Sequence, residues 1–435
     1  MLKKNKIELL APAGNLEKMK TAFAFGADAV YLGIPDFSLR VRINDFGMKE
    51  VREAVKYAHD FNKKVYVTIN IFAHNRHIKK LPKYIQELKK IKPDALIISD
   101  PGVIFFIKEI WPDCEIHLST QANCTNWRSA KFWHESGVKR IILGREVTLD
   151  EIKEIHKKVP KVDLEYFVHG AMCMAYSGRC FLSKYFLDRS GNLGDCVQPC
   201  RWKYGVESRK LKVESDEEYY IYEEKRFDQL LEIVEEEHGS YILNSKDLCL
   251  VKYLDKLIDA GVMSIKIEGR AKSVYYEAVV NGIYKSALEY LNGKPPLNPL
   301  PKGDLLDYFY DELNTKLVHR GYTEGFLLGG KADQEINASH QKSDWEFCGQ
   351  VISRNTEQKT QNKIFVKVHN TLRVGDEIEI VRPFYDIIKM KLKKMLDVKN
   401  NKEIKEAHGG SGGQTVIMEL NENVPEYSVL RRKFK

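Results

Sequence analysis

Four of the eight cysteines in the chain lie within one short stretch, residues 165–202. Their spacing is C-x6-C-x15-C-x3-C, and glycines and a proline interrupt the stretch, which is typical of a loop. Sulfurs presented by a loop can converge on one point without a packed core to hold them. The side chains that could do chemistry here are Cys173, Cys180, Cys196 and Cys200.

Three interpretations of these cysteines are open. They could be reduced residues with a purely structural role. They could hold zinc, but structural zinc sites usually pair closely spaced cysteines, and only Cys196 and Cys200 have such a spacing. They could instead hold an iron–sulfur cluster, which also takes four thiolates. Because clusters tolerate irregular spacing, the pattern alone places a cluster slightly ahead of zinc.

The cysteine stretch follows one of eight short apolar runs, which helical segments separate in most cases. The runs are Ile7–Leu10, Ala29–Leu32, Val65–Ile69, Ala95–Ile98, Glu115–Leu118, Arg140–Leu143, Leu164–Val168 and Ser264–Ile267. Repeated strand–helix units predict an α/β fold with a parallel sheet, and eight units favour a closed (β/α)8 TIM-like barrel over an open doubly wound sheet. No G-x-G-x-x-G follows the first run, which argues against dinucleotide binding.

The pattern divides the chain into three parts. Residues 1–292 form the barrel, with an insertion at about 173–240; residues 293–344 form a linker and a helical segment; and residues 345–435 alternate as a small C-terminal antiparallel β-barrel. Within the insertion we predict a strand at Tyr219–Tyr222, an acidic exposed helix at Phe227–Glu237 and an extra strand at Tyr241–Leu243. Basic clusters at Lys389–Lys394 and Arg431–Lys435 could contact phosphates or simply be solvated.

Functional groups of a parallel barrel gather at the C-terminal ends of its strands. At these positions we predict His169 as a proton shuttle, although a histidine beside a glycine is as often merely hydrogen-bonded. Strand alternation puts Lys266 and Glu268 on one face of the eighth strand, and Glu165 lies in the seventh. If that face lines the barrel, Lys266 and Glu268 form a buried pair with perturbed pKa values, which makes both catalytic candidates.

Substrate-binding candidates lie at the same ends. A guanidinium group matches a carboxylate with two parallel hydrogen bonds, so arginines near strand ends could hold a carboxylate substrate or be ordinary ion-pair partners. Asparagine and glutamine side chains after the third and fifth strands add hydrogen-bonding groups. The candidates are Arg40, Arg42, Asn70, Gln121, Arg145 and Arg270.

Composition restricts the class of protein. The chain is 43% hydrophobic and 30% charged, with no apolar run near the roughly 18–20 residues of a membrane span. The first residues do not resemble a signal peptide, so eight cysteines predict a reducing, cytoplasmic compartment with no membrane contact. A net charge of +8 is compatible with an anionic partner such as RNA or with a solvated lysine-rich surface.

Several motifs make the sequence similar to the family catalogued as peptidase U32, over nearly the whole chain. The main one is E-x-F-x-x-G-A-x-C-x4-G-R-C-x-x-S, which begins at Glu165 and ends at Ser183. The others are Leu9–Lys20, Gly26–Gly33, Phe37–Arg40, Asn244–Leu248, Lys266–Arg270 and His319–Phe326.

Length and motifs resemble most closely the family's tRNA uridine hydroxylases, which make 5-hydroxyuridine at the wobble position with prephenate as hydroxyl source. The resemblance implies a 4Fe-4S cluster on the four loop cysteines, with zinc as the alternative and Cys249 as a rival fourth ligand. It implies tRNA and prephenate as partners, and a homo- or hetero-oligomer with a second family member. Prephenate has two carboxylates, which suits the arginine candidates.

Two other functions stay open for this family. One is the collagenase-like peptidase of its catalogue name, which needs an activated nucleophile or a catalytic metal. The sequence has no H-E-x-x-H, and spacing points to no particular Cys–His dyad. The other is an oxygen-independent hydroxylase of a small quinone-type molecule. Relatives of that kind use a different fourth cysteine, so retention of all four loop cysteines favours the tRNA branch.

Overall fold

The structure is a computed structural model of the chain. It describes residues 6–39, 45–173, 175–176, 179–180, 182–202, 204–210, 217–223, 226–233, 245–295, 304–330, 343–352, 363–410 and 413–434. Within these ranges, no helix combines the length and apolar character that crossing a membrane requires.

Seven parallel strands alternate with helices in the first part of the chain. The strands are β1 (Glu8–Pro12), β2 (Ala29–Gly33), β3 (Lys64–Ile69), β4 (Ala95–Ile98), β5 (Ile116–Leu118), β6 (Arg140–Ile142) and β7 (Asp163–Ala171). The helices are α1 (Leu16–Ala24), α2 (Met48–Asp60), α3 (Asn75–Ile91), α4 (Pro101–Ile110), α5 (Trp127–Glu135) and α6 (Leu149–Lys158). Every residue of β2 and β4 is buried, as a parallel sheet covered on both faces requires.

Side-chain caps fix where several of these helices begin. Asn15, Asp100, Asn126 and Thr148 each accept a hydrogen bond from a backbone N–H in the first helical turn. Thr148 forms a capping box with Glu151. Each cap sets the length of the loop between a strand and its helix, and these loops form the rim on which a barrel carries its functional groups.

In its described residues, the insertion after β7 contains a short α-helix and a three-stranded antiparallel sheet. Its elements are α7 (Leu182–Leu187), β8 (Tyr204–Lys210), β9 (Glu217–Glu223) and β10 (Arg226–Ile233). The strand predicted at Tyr219–Tyr222 is confirmed. The helix predicted from Phe227 is wrong for residues 227–233, which form β10; residues 234–237 and the strand predicted at 241–243 lie outside the described residues.

The wrong prediction for β10 has a physical cause. The pairing of β10 with β9 shifts register between Arg226 and Leu231, which indicates a bulge. A bulge interrupts the strict two-residue alternation of a strand, so apolar residues at helical spacing no longer exclude a strand. Hydrogen bonds to β9 then decide the conformation, and local spacing carries no information about them.

The barrel closes through a strand that follows the insertion. After β11 (Asp247–Cys249) and α8 (Leu254–Asp259), strand β12 (Val262–Ile267) pairs in parallel with both β7 and β1, which confirms the predicted closed barrel. Helix α9 (Val274–Leu291) then packs against β1 and α1, and α10 (Leu305–Lys316) packs against α9. Strand β13 (Tyr322–Thr323) pairs with β11, which runs antiparallel to the last residues of β7, His169–Ala171.

The C-terminal part is antiparallel, as predicted, and begins at Trp345. Its strands are β14 (Trp345–Ile352), β15 (Lys363–Val368), β16 (Leu372–Arg373), β17 (Glu377–Arg382), β18 (Asp386–Lys391), β19 (Met395–Asp397), β20 (Glu403–Ile404), β21 (Glu406–Ala407), β22 (Thr415–Glu419) and β23 (Val429–Lys433). Eight of them pair in the order β18-β17-β23-β14-β15-β22-β19-β20, and β16 pairs with β21. These strands enclose a separate apolar core.

Ion pairs connect this C-terminal part to α10. The Arg431 side chain is fully buried and contacts Glu379 at 2.7 Å and Glu312 of α10 at 2.8 Å. Arg432 pairs with Glu346 and Asp376. Two arginines of the predicted basic cluster 431–435 are therefore committed to internal carboxylates. The suggestion that this cluster contacts phosphates is wrong for these two residues.

Candidate functional site

The cysteine loop, residues 173–202, lies at the mouth of the barrel. It leaves β7 at its C-terminal end, where Ser245 Oγ donates to the carbonyl of Met172 at 2.9 Å. On the opposite side of the rim, the backbone N–H of Phe72, just after β3, donates to the carbonyl of Asn192 at 3.1 Å. The loop therefore reaches across the end of the barrel where such folds carry their active sites.

The four loop cysteines are free thiols that influence one another electrostatically. Burial raises the pKa of Cys200 to about 11; Arg201 opposes this rise, and Cys173, Cys196 and Cys180 add to it. Burial also raises the pKa of Cys180, and Cys173 and Cys196 again add to the rise. Among the described residues, no three His, Cys, Asp or Glu side chains are gathered at metal-binding distance. Four neighbouring thiols nevertheless fit a tetrathiolate centre by the chemistry of the donor set.

Hydrogen bonds around Cys196 shape this part of the loop. The hydroxyl of Ser183, a buried residue of α7, donates to Cys196 Sγ at 3.5 Å and accepts from the backbone N–H of Val197 at 3.1 Å. The backbone N–H of Gln198 donates to the same sulfur at 3.4 Å. Hydrogen bonds to cluster sulfurs are one of the means by which a protein sets a reduction potential.

Cys249 occupies a different environment. It lies in β11 opposite His169 of β7, is 3% exposed, and its Sγ is 3.9 Å from the hydroxyl of Tyr284. Burial raises its pKa to about 12. Cys249 therefore lies among packed side chains of the strand that pairs with β7, whereas Cys200 belongs to the loop and is influenced by the charges of the other three loop cysteines. Cys114, Cys124 and Cys348 are also buried outside the loop.

Lys266 forms a buried ion pair, but its partner differs from the predicted one. Its Nζ lies 2.9 Å from Oε1 of Glu165, and both side chains are almost completely buried. Glu268 lies beyond the end of β12 and is only partly buried. The predicted Lys266–Glu268 pair is therefore wrong. Strand alternation assigned the correct face to Lys266, but β12 ends before Glu268, so alternation no longer applies there.

The Lys266–Glu165 pair belongs to a charged network inside the barrel. Arg140 of β6 contacts Glu165 at 3.1 Å and Glu8 of β1 at 2.5 Å, and the hydroxyl of Tyr66 in β3 donates to Glu8 at 2.8 Å. Side chains from strands that are not neighbours can meet only across the interior. Burial lowers the pKa of Lys266. Burial alone would raise the pKa of Glu165, but the positive charges of Lys266 and Arg140 outweigh it, so the pKa of Glu165 is lowered.

His169 is buried among aromatic rings outside this network. The rings of Tyr276, Tyr284 and Tyr322 lie 5.8, 5.6 and 5.4 Å from its own, and the hydroxyl of Tyr284 is 3.4 Å from Nδ1. Burial lowers the pKa of His169 to about 3. The imidazole is therefore neutral near pH 7, and the structure does not bring it into contact with Lys266.

The low pKa of His169 predicts a loss of stability in mild acid. The unfolded chain binds a proton there near pH 6.5 and the folded chain does so only near pH 3, so between these values the unfolded state binds more protons. The free energy of unfolding therefore decreases as the pH is lowered through this range, and this group contributes up to about 1.4 kcal/mol per pH unit. The free energy of unfolding, measured with urea between pH 7.5 and 5, should depend less steeply on pH in His169→Phe than in the parent protein. In His408→Gln, a control at an exposed residue, the pH dependence should equal that of the parent. Equal slopes in both variants would contradict the assignment.

The described arginine candidates have different surroundings. The guanidinium of Arg145 stacks on Phe167, 3.8 Å from the ring centroid, and no described carboxylate pairs with it. Arg270 is 6% exposed and donates to the carbonyl of Leu39 at 2.5 Å and to Thr68 Oγ1 at 3.4 Å. Arg145 therefore stays a substrate-binding candidate, whereas Arg270 helps to hold the loop after β2. Arg40 and Arg42 lie outside the described residues.

The two amide candidates lie on the rim as predicted. Asn70 accepts a hydrogen bond from the backbone N–H of Leu39 at 3.2 Å and donates to Ser119 Oγ at 3.5 Å. Gln121 lies in the short helical turn after β5, and its backbone N–H also contacts Ser119 Oγ. Asn70 thus joins the loops after β2, β3 and β5, and Gln121 is partly exposed beside it.

A pocket of about 190 Å³ lies between the cysteine loop and the ends of β7 and β12. Its charged lining residues are Arg201, Asp247, Glu268, Lys272 and Arg320. Burial, and secondly the charge of Arg320, lower the pKa of Arg201. Of these residues, only Glu268 was predicted as a site residue. Signals for two others were present in the sequence, since Asp247 and Arg320 fall within the motifs at Asn244–Leu248 and His319–Phe326.

The fold and this site define a (β/α)8-barrel protein with a four-cysteine loop across the mouth of the barrel. The family model described as peptidase family U32 matches residues 14–337, and that of the peptidase family U32 C-terminal domain matches residues 343–431. The chain belongs to peptidase family U32, which confirms the resemblance drawn from its motifs.

Named relatives connect this family to RNA hydroxylation and to proteolysis. The chain is 40% identical to "tRNA hydroxylation protein P" of Haemophilus influenzae, over 91% of this chain and 90% of the relative. It is 33% identical to "23S rRNA 5-hydroxycytidine C2501 synthase" of Escherichia coli, over 76% of this chain and 46% of the relative. It is 29% identical to "Collagenase" of Porphyromonas gingivalis, over 97% of this chain and 96% of the relative.

Proposed function

We propose that this protein is a tRNA-modifying hydroxylase that forms 5-hydroxyuridine at the wobble position. The observation that carries the proposal is the position of the cysteine loop across the mouth of the barrel, as the Phe72–Asn192 contact and the shared pocket indicate. A redox group held there would lie where barrel enzymes bind their substrates. The name of the relative that is 40% identical over most of its length supports tRNA as the substrate.

The cofactor that suits the loop is a 4Fe-4S cluster held by Cys173, Cys180, Cys196 and Cys200. Such a cluster supplies one-electron redox chemistry, and its potential depends on hydrogen bonds to sulfur and on exposure. Ser183 and the backbone N–H of Gln198 already provide hydrogen bonds to Cys196. Zinc is the alternative, but it has no redox chemistry and would leave hydroxylation without an electron carrier.

The co-substrate we propose is prephenate, as the source of the hydroxyl group. A molecule with two carboxylates needs cationic side chains near the mouth of the barrel, and arginine suits a carboxylate because its fork donates two parallel hydrogen bonds. Arg145 lies on that rim. A tRNA substrate would contact the chain through phosphates, consistent with the net charge of +8.

Proteolysis is the second candidate because one relative is named a collagenase. A peptidase needs an activated nucleophile or a catalytic metal. The sequence has no H-E-x-x-H. Residues 409–413, GGSGG, formally match G-x-S-x-G, but β21 precedes them and β22 follows them, so the strand–turn–helix context of a nucleophile elbow is missing. A hydroxylase of a quinone-type small molecule is the other alternative, and the retention of all four loop cysteines argues for the tRNA substrate instead.

Mass spectrometry of tRNA nucleosides from cells with and without the gene tests the proposal directly. We expect deletion to remove 5-hydroxyuridine and the nucleosides derived from it, and plasmid expression of the intact chain to restore them. A cell without any second enzyme for this modification is required as the host. An unchanged nucleoside profile in that host would contradict a tRNA substrate and would favour the small-molecule alternative.

A further inference from the structure

The pocket beside the cysteine loop contains two arginines with unused hydrogen-bonding capacity. Arg320 is 2% exposed, and its Nη1 has no hydrogen-bond partner in the structure. Arg201 donates from Nη1 to Gln198 Oε1 at 2.5 Å, but its buried Nε is likewise without a partner. A buried guanidinium N–H that makes no hydrogen bond is costly, so its persistence beside a pocket points to a ligand that would accept the bond.

The charges around the pocket favour an anion. Three cationic side chains, Arg201, Lys272 and Arg320, line it against two anionic ones, Asp247 and Glu268. Asp247 is already engaged, because it accepts from the backbone N–H and Nε of Arg320 at 3.3 and 3.2 Å. This pairing holds the guanidinium in one orientation and leaves Nη1 available. Lys272 has no ion-pair partner among the described residues, and its Nζ lies 5.4 Å from the ring of Tyr276.

The size of the pocket restricts the anion further. Its volume of about 190 Å³ is below the roughly 300–1,000 Å³ of pockets for drug-sized ligands. Such a space suits a small organic acid or one anionic group of a larger molecule. Planar guanidinium groups match the two oxygens of a carboxylate, and a neighbouring ammonium supplies a point charge without fixed geometry.

We infer that Arg201, Lys272 and Arg320 form a binding site for the carboxylate of a small organic acid, held directly against the four-cysteine loop. Arg201 follows Cys200 in the chain, so a molecule bound by this arginine lies next to the proposed cluster. The inference rests on the proposed function for the identity of the acid, because the co-substrate proposed there has two carboxylates. It assigns carboxylate recognition to residues other than the arginines predicted from the sequence.

Ligand binding to the purified full-length protein, without tRNA, tests this site. The probes are prephenate, malonate and inorganic phosphate, measured by isothermal titration. We expect prephenate to bind the parent protein, and Arg201→Gln and Lys272→Gln each to raise its dissociation constant about tenfold or more, because each removes a hydrogen bond between charged groups. Lys272→Arg should retain binding, since it keeps the charge. The matched control is Arg128→Gln, which changes an exposed arginine on α5.

The outcomes separate this inference from the proposed function. Tighter binding of inorganic phosphate than of either carboxylate probe would assign the pocket to an RNA phosphate and overturn the inference. Binding of prephenate that is unchanged in Arg201→Gln and Lys272→Gln, with iron content and melting temperature equal to those of the parent, would also overturn it. Loss of binding in these variants supports the inference even if gene deletion leaves the nucleoside profile of tRNA unchanged. Arg320→Lys serves as a third variant, which keeps the charge but removes Nη1.

Discussion

Replacement of Cys180 by alanine is expected to remove both the brown colour of the purified protein and wobble-uridine hydroxylation. Cys180 lies in the middle of the loop, and its pKa responds to two of the other loop cysteines, so its sulfur belongs to their group. A cluster bound by four thiolates loses a ligand in this variant. Anaerobic purification, the visible absorption spectrum, iron and sulfide content, and hydroxylation of tRNA in a deletion strain measure the result. We expect activity at background level.

Three further variants make this experiment specific. Cys348→Ala changes a buried cysteine in the separate C-terminal core, and we expect it to keep both colour and activity. Cys200→Ala and Cys249→Ala, compared side by side, decide the fourth ligand, and we expect loss of the cluster only in Cys200→Ala. A colourless parent protein with stoichiometric zinc, or a Cys180→Ala protein that still hydroxylates tRNA, would contradict the cluster proposal.

The barrel could be predicted because its signals are local. Each strand is a short apolar run, and several helices begin at a side-chain cap, as α9 does at Ser273, so these elements follow from neighbouring residues alone. Strand β9 was predictable for the same reason, because Tyr219–Tyr222 is a run of aromatic and β-branched residues, which favour strands. Strand β10 could not be predicted because a bulge disturbs its alternation and its conformation depends on pairing with β9.

The site was predictable in its cysteines and less so in its charges. Sequence spacing could identify four clustered thiols, but not that Lys266 pairs with Glu165 across the interface between β12 and β7. That pairing depends on the register of two strands about a hundred residues apart. Prediction of the anion-binding pocket would have required the positions of three separate segments, because Arg201, Lys272 and Arg320 lie far apart in the chain. Individually each is an ordinary basic residue, and only the fold places them together.

The Lys266–Glu165 pair predicts a large effect on stability. Glu165→Gln keeps the shape of the side chain but leaves the ammonium of Lys266 buried without its counter-charge. Removal of one partner of a buried pair typically costs about 3–5 kcal/mol of unfolding free energy. Urea unfolding should show this loss, whereas Asp150→Asn, which breaks the exposed pair with Lys153, should cost about 1 kcal/mol or less. The double variant Glu165→Gln with Lys266→Met should recover part of the loss, because no unpaired charge is then buried.

The pH dependence of the same variant identifies the cause. Burial lowers the pKa of Lys266 in the folded protein, whereas in the unfolded chain a lysine titrates near about 10.4. Between these values the unfolded state binds more protons, so stability rises with pH. Without Glu165 the folded pKa falls further, and the penalty in Glu165→Gln should shrink as the pH is raised from 7 towards 10. A penalty that stays constant over this interval would mean that lost packing, and not the unpaired ammonium, destabilises the variant.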